Sequence, residues 1–265
     1  MKFRLVAACV VALHATPVCS AFELGRSIVP AVPTFDPLAT RALTWLANPA
    51  TLALSGRIAG VGFARPFGLA ELDLFYAELI LPRSRTIIAL GITTLGQAEL
   101  YRESDFALGA ALRLSRSLAF GLTAHALALS FGRDFAPLWS AAIDAGVRYD
   151  SPSGVALGLS VADVPVPPRG ELELIRPAVR AALGFRPSPA LALRAGAEFR
   201  DRWVFALGET VLVAEQLHLS ADLLTDPLRL SVGMRLHVGG YFIDVIHRDH
   251  PELGGDQLFG IGRRF

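Results

Sequence analysis

After Cys19 the sequence contains no cysteine, and after Lys2 it contains no lysine. The first absence excludes a disulfide framework and thiol chemistry from the body of the chain. The second leaves arginine as its only strong cation. The formal net charge is +1, and no basic run carries interleaved aromatics, so nucleic acid is not an expected partner. Also missing, past the N-terminus, is any run of about 18 uncharged apolar residues, which a membrane-spanning helix requires. Yet 52% of the residues are hydrophobic and only 18% are charged, too apolar for an ordinary soluble domain. An apolar chain without spanning helices has one other way through a bilayer. It can close a β-barrel in which every backbone group is paired.

What is present begins with an export signal. Lys2 and Arg4 supply a positive region, Leu5 to Ala15 a short apolar core, and Cys19-Ser20-Ala21 small residues for cleavage before Phe22. Residues 1–21 are therefore expected to be a signal peptide that takes both cysteines with it. Residues 22–56 are expected to form an N-terminal plug. Asp36-Pro37 combines an N-cap with proline at the first helical position, and Leu38 to Ala47 can continue the helix. Pro49 restricts Asn48 to extended backbone, so the helix should stop there. Leu38, Ala42, Trp45 and Leu46 fall on one helical face and need an apolar place to be buried. A loose periplasmic leader is the other reading of this segment.

From Arg57 onward apolar residues recur with period two, the β-strand period. The clearest stretch is Leu217 to Val238. Leu217, Leu219, Ala221 and Leu223 alternate with His218, Ser220, Asp222 and Leu224; beyond a turn at Thr225-Asp226-Pro227, Leu228, Leu230, Val232, Met234, Leu236 and Val238 alternate with Arg229, Ser231, Gly233, Arg235 and His237. Similar strands are expected near 57–66, 70–81, 85–95, 105–115, 118–130, 139–149, 154–162, 173–186, 190–200, 203–213, 216–224, 228–238, 240–248 and 257–265. Segments 57–66, 70–81 and 203–213 alternate less regularly. Residues 57–265 are thus read as an all-β, antiparallel transmembrane barrel of about 14 strands in the outer membrane.

The connections carry a parity that supports the count. Those after even-numbered strands are all short, as at Pro82–Ser84, Ser151–Ser153 and Gly239. The long ones, Gln97–Ser104, Phe131–Leu138, Asp163–Leu172 and Asp249–Asp256, all follow odd-numbered strands. Short periplasmic turns and longer external loops are the barrel rule.

The apolar face must meet lipid, because arginine at the bilayer midplane costs about 2–4 kcal/mol. Arg113, His125, Asp144, Arg148, Arg180, Arg194, Glu198, His218, Asp222, Arg229 and Arg235 are therefore expected to face the lumen. Mixed charges such as Arg194 with Glu198, and Asp144 with Arg148, read as lumenal pairs. Glycine and alanine fill many other inward positions and leave room for water, a ligand or the plug. Aromatics near strand ends, among them Phe63, Phe75, Tyr76, Phe106, Trp139, Trp203, Tyr241 and Phe242, suggest thin interfacial girdles. On the last strand Phe259, Ile261 and the terminal Phe265 share one face, which resembles the assembly signal of bacterial barrels. Outer-membrane lipid and the barrel assembly machinery are the partners this implies.

Chemistry-bearing clusters are sparse. His218, Ser220 and Asp222 share a strand face, but residues i and i+2 lie about 6–7 Å apart, too far for direct hydrogen bonds. No GxSxG motif is present. His247, Asp249, His250 and Asp256 gather near the last loop, with His237 on the strand before, yet their spacing matches no defined metal motif. Neither an enzyme nor a cofactor nor a metal site is expected.

Residues 36–54, DPLATRALTWLANPATLAL, resemble the start of the outer-membrane long-chain fatty acid transporter superfamily, which includes the PorV/PorQ-like proteins. The resemblance is carried by Asn48-Pro49-Ala50, followed by Thr51-Leu52-Ala53 just before the first strand. It implies a 14-stranded barrel with an N-terminal hatch, in which Trp45, Asn48, Pro49 and Ala50 gate the lumen. Asn-Pro would turn the plug helix out of the lumen and into the first strand. The function implied is passage of hydrophobic or amphipathic molecules, with a hydrophobic ligand as partner. An accessory barrel with a secretion-system partner, and a small-solute porin, are the alternatives. The chain departs from the family in lacking a glycine-rich approach to Asn48 and in having short external loops.

Overall fold

In the computed structural model, residues 44–132, 135–166, 176–225, 228–249 and 254–265 are described. The expected signal segment 1–21, the expected helix start at Asp36-Pro37 and His250 lie outside them. Fourteen strands form one closed antiparallel barrel, each pairing with its neighbours in sequence and the last with the first. They are β1 (Ile58–Arg65), β2 (Leu74–Arg83), β3 (Thr86–Gln97), β4 (Tyr101–Arg113), β5 (Leu118–Phe131), β6 (Leu138–Asp150), β7 (Val155–Val166), β8 (Ala178–Ser188), β9 (Leu191–Phe199), β10 (Trp203–Ala214), β11 (Leu217–Thr225), β12 (Leu228–Val238), β13 (Tyr241–Arg248) and β14 (Asp256–Arg264). Closure satisfies the backbone groups of every strand, which lipid cannot do.

Alternation decides which side chains meet lipid. On β12, Leu228, Leu230, Val232, Met234 and Val238 are exposed outward, while Ser231 and Arg235 are buried within. Outward charges stand mainly at strand ends, as do Arg65, Arg83, Arg102 and Arg263; Glu209 departs from this, exposed midway along β10 between Leu207 and Val211. Outward aromatics cluster at the long-loop end, where Phe63 lies 5.1 Å from Phe75 and Phe199 5.1 Å from Trp203. Tyr76 and Phe242 do not join a girdle. Both are buried inside the barrel.

Several expected boundaries shift. Residues 70–73 are not strand: short 3-10 turns at Pro66–Gly68 and Ala70–Leu72 fill the β1–β2 connection. The expected loop Gln97–Ser104 is mostly strand, because β3 runs to Gln97 and β4 starts at Tyr101. β7 continues past residue 162 to Val166 through a bulge opposite Asp144. There Asp163 adopts φ 60° and turns its side chain inward, 2% exposed. The β3–β4 link thereby leaves the class of long loops, and the connections after β1, β5, β7 and β13 remain longer than every turn after an even-numbered strand.

Candidate functional site

The lumen contains the chain's own N-terminal segment. Thr44–Leu46 and Pro49–Leu54 are 3-10 helices, and Trp45, Pro49, Ala50, Thr51, Leu52 and Ala53 are buried. Asn48 between them has φ −148° and ψ 107°, the extended backbone that a following proline imposes. The chain does not leave the lumen at this point, contrary to the expectation. Asn48 instead N-caps a second helix, its Oδ1 accepting from the Ala50 N–H at 3.0 Å. Its Nδ2 donates to the Val147 carbonyl of β6 at 3.3 Å. The Asn-Pro step thus anchors the plug against the wall opposite β1, and Pro49–Leu54 carries the chain back across.

Glycine makes room for this segment. Gly91 (β3), Gly109 (β4), Gly121 (β5) and Gly146 (β6) face inward on four successive strands. A Cβ on Gly91 would lie 2.9 Å from Trp45, and one on Gly109 2.7 Å from the same ring. At Gly121 it would strike the backbone of Pro49 and Ala50, and at Gly146 the Asn48 side chain. Around this cradle polar groups meet the plug at separate points. Trp45 Nε1 donates to Glu78 Oε2 at 3.2 Å. The Ala47 carbonyl accepts from Ser160 Oγ at 2.9 Å and from Arg180 at 3.3 Å. Arg113 Nε donates to the Ala53 carbonyl at 2.7 Å. The carbonyls between and after the two short helices therefore find donors on the wall.

Below the plug, Ile58, Ile80, Ile87, Ala89 and Phe242 pack with Trp45 and Leu52 in one apolar cluster. Toward the long-loop end, Leu74, Tyr76 and Leu95 form another, with Leu46 and Leu258 against it. Both lie on the β13–β4 side, so apolar surface continues along the lumen on either side of the plug.

The opposite wall is ionic. Arg194 of β9 passes over Gly208 of β10, where a Cβ would collide with it, and reaches Asp222 of β11 at 2.7 Å and Thr210 at 2.7 Å. Arg235 forms two hydrogen bonds of 2.5 Å with Asp244. Arg180 reaches Glu198 at 2.7 Å, and Arg200 reaches Asp163 at 2.7 Å. The cradle's own strands carry a further ionic cluster toward the long-loop end, where His125 of β5 bridges Asp105 of β4 at 2.9 Å and Asp144 of β6 at 3.1 Å, and Asp144 also accepts from the Asp163 N–H. The within-strand pairs anticipated from sequence do not form. Arg194 and Glu198 take partners on other strands, and Arg148 pairs with Asp150. Residues four apart on a strand are separated by about 13 Å, whereas cross-strand neighbours lie about 5 Å apart.

All the residues expected in the lumen lie on its face. Arg113 is solvent-exposed at the short-turn end, Glu198, His218 and Arg229 are half-buried, and His125, Asp144, Arg148, Arg180, Arg194, Asp222 and Arg235 are buried. Trp45, Asn48, Pro49 and Ala50 come together in the plug. Phe259, Ile261 and Phe265 share the outer face. The polar clusters weighed for catalysis and metal do not assemble: Asp222 is held by Arg194, His218 packs on His237 at 5.1 Å, Asp256 faces Arg248, and His247 points outward. Sequence reasoning missed Glu78, Ser160, Asp163 and Asp244. Glu78 and Asp244 sit at inward positions between apolar neighbours, Ala77 and Leu79 on β2 and Ile243 and Val245 on β13, where a lone carboxylate is itself a lumen signal.

No protein-family model matches the chain, and comparison with curated proteins finds no match. Solved structures do match. The toluene transporter TbuX of Ralstonia pickettii superposes with TM-score 0.62 at 12% identity, over 82% of this chain and 92% of that one. The toluene transporter TodX of Pseudomonas putida gives 0.61 at 10% identity, over 83% and 92%. A Pseudomonas aeruginosa FadL homologue gives 0.57 at 12% identity, over 94% and 96%. The fold is that of the FadL-like outer-membrane transporters. A closed antiparallel barrel with an apolar outer belt is an outer-membrane architecture. At this identity the likeness is one of fold.

Proposed function

We propose that the protein passes hydrophobic molecules across the outer membrane through a lumen that its own residues 44–54 stopper. The observation that carries this reading is the plug's mode of attachment. It rests on glycines and is held by a few single hydrogen bonds, while apolar surface lines the lumen above and below it. A segment so held can shift without unfolding the wall. The solved neighbours named as toluene transporters support a hydrophobic cargo of this kind. Trp45, Asn48, Pro49 and Ala50 form the gate, and the ion-paired wall keeps the barrel shut around it.

The mature chain lacks cysteine, so a disulfide introduced between plug and wall is unambiguous. Ala47→Cys with Ser160→Cys joins two residues already in hydrogen-bond contact. In proteoliposomes, the oxidised variant should block uptake of a labelled monoaromatic hydrocarbon, and reduction should restore it. Small sugars should not swell either form rapidly. Equal hydrocarbon uptake by the oxidised and reduced forms would sink the gate, and rapid sugar swelling would favour a diffusion porin.

A further inference from the structure

We propose that the outer face around β1 binds an anionic glycerophospholipid of the periplasmic leaflet, with an acyl chain in a surface concavity and the phosphate on a trio of arginines. The concavity has a volume of about 750 Å³, within the about 300–1,000 Å³ typical of small-ligand sites. It crosses six strands, from β13 through β14 and β1 to β4. Its floor is low because β1 and β2 present the small outward residues Ala59, Val61 and Ala77, with glycine at Gly60 between. Leu90 and Phe106 rise on one flank and Ile261 on the other. The lining is almost wholly apolar and lies in the lipid belt.

Charge at one rim selects the occupant. Arg263 lines the concavity, directly opposite Ala59 across the β1–β14 pairing. Its guanidinium lies 5.3 Å from the Tyr241 ring and makes no ion pair among the described residues. Arg57 stands two residues before Ala59 on the same face, and Arg83 ends the outward series of β2; both are exposed. All three stand at the short-turn end of the adjacent strands β14, β1 and β2, where arginine on a lipid-facing series is tolerated because headgroups are within reach. Other hairpins end their outward series without charge, as at Leu112, Tyr149, Phe185 and Val213.

Basic clusters at a membrane surface recruit anionic lipid, and arginine's donor fork matches a phosphate. A second copy of the chain fits worse. A two-fold axis along the membrane normal would set the three arginines against their own counterparts at equal depth. A neutral hydrocarbon would use the apolar floor but leave the arginines without a role.

The test is native mass spectrometry of the detergent-purified full barrel, titrated with equal amounts of phosphatidylglycerol and phosphatidylcholine of distinguishable mass. Preferential retention of phosphatidylglycerol is expected. Each of Arg57→Gln, Arg83→Gln and Arg263→Gln should lower the preference about five-fold. Ala77→Phe, which fills the floor while keeping the charges, should reduce retention of both lipids. The proposal is overturned by equal retention of the two lipids, by a preference that survives the triple arginine variant, by Ala77→Phe binding as the wild type does, or by a dimer that forms in place of the lipid complex.

Discussion

The two walls of this lumen solve opposite problems. The β2–β7 wall must accept a foreign segment, and the β8–β14 wall must fill its own space. The first does so by subtraction: Gly91, Gly109, Gly121 and Gly146 lack the side chains that would exclude the plug, and the bonds to it are few. The second does so by addition. Long arginines reach carboxylates across the lumen face, as in Arg194–Asp222 and Arg235–Asp244, each with both side chains buried. Breaking a buried pair leaves an uncompensated charge, whereas losing a plug contact such as Asn48–Val147 or Ser160–Ala47 leaves one unpaired neutral group. On the proposed function, one wall holds still and the other lets go.

The largest effect should follow from damaging the wall that holds still. Arg194→Ala strands Asp222, and the loss of a buried partner costs about 3–5 kcal/mol. Urea unfolding in lipid vesicles should show this destabilisation, with the conductance of the surviving folded barrels unchanged. A rise in conductance would show that the ionic wall also gates. Next comes Gly121→Leu, whose side chain meets the plug backbone at Pro49 and Ala50 rather than a flexible tip. Overpacking costs about 1–3 kcal/mol, and here displacement of the plug relieves it. Single-channel recording should therefore show raised conductance with little change in barrel unfolding. Unfolding that falls as far as for Arg194→Ala would erase the distinction between the walls.

The same contrast explains what the sequence revealed. β8, β9, β11 and β12 alternate legibly because their inward residues are charged or small against outward Leu, Val and Phe. β1 and β2 were irregular for a physical reason. Ile58, Leu74 and Ile80 face a lumen made apolar by the plug and by their neighbours, so both faces of these strands are apolar and the period of two fades. β10 shares the defect through Val204, Ala206 and Leu212. Within the site, the extended backbone of Asn48 could be derived from Pro49 alone. The second helix could not, because Pro49–Leu54 is held by contacts with strands that follow much later in the chain. The ion pairs were misassigned along strands because register, which places Gly208 between Arg194 and Asp222, is a property of the closed barrel.

A smaller effect sharpens the mobile side. Asn48→Ala removes both the cap on Ala50 and the bond to Val147. Losing an N-cap costs about 0.5–2 kcal/mol, and this should appear as more frequent brief openings in single-channel traces rather than as a larger pore. Unchanged opening frequency would mean that the glycine cradle alone retains the plug.

The smallest effect lies outside both walls and serves as their control. Arg65 donates to both oxygens of Asp73 at 2.7 and 2.9 Å in the β1–β2 connection. Those hydrogen bonds hold the Asp73 carboxyl below its ordinary value. A carboxyl depressed by folding contributes stability that is complete above its unfolded pKa and is lost as the pH falls through the lower folded one. The wild type should therefore lose the order of this loop in acid, and Asp73→Asn should lack that part of the acid dependence. Because the pair is solvated and screened, global unfolding should scarcely register it. Hydrogen exchange at Leu72 and Asp73, whose amides bond to Leu69 and Ala70, is the readout. If acid instead changed conductance through Asp73, the β1–β2 connection would belong to the gate, and the division between a mobile plug and a passive rim would have to be redrawn.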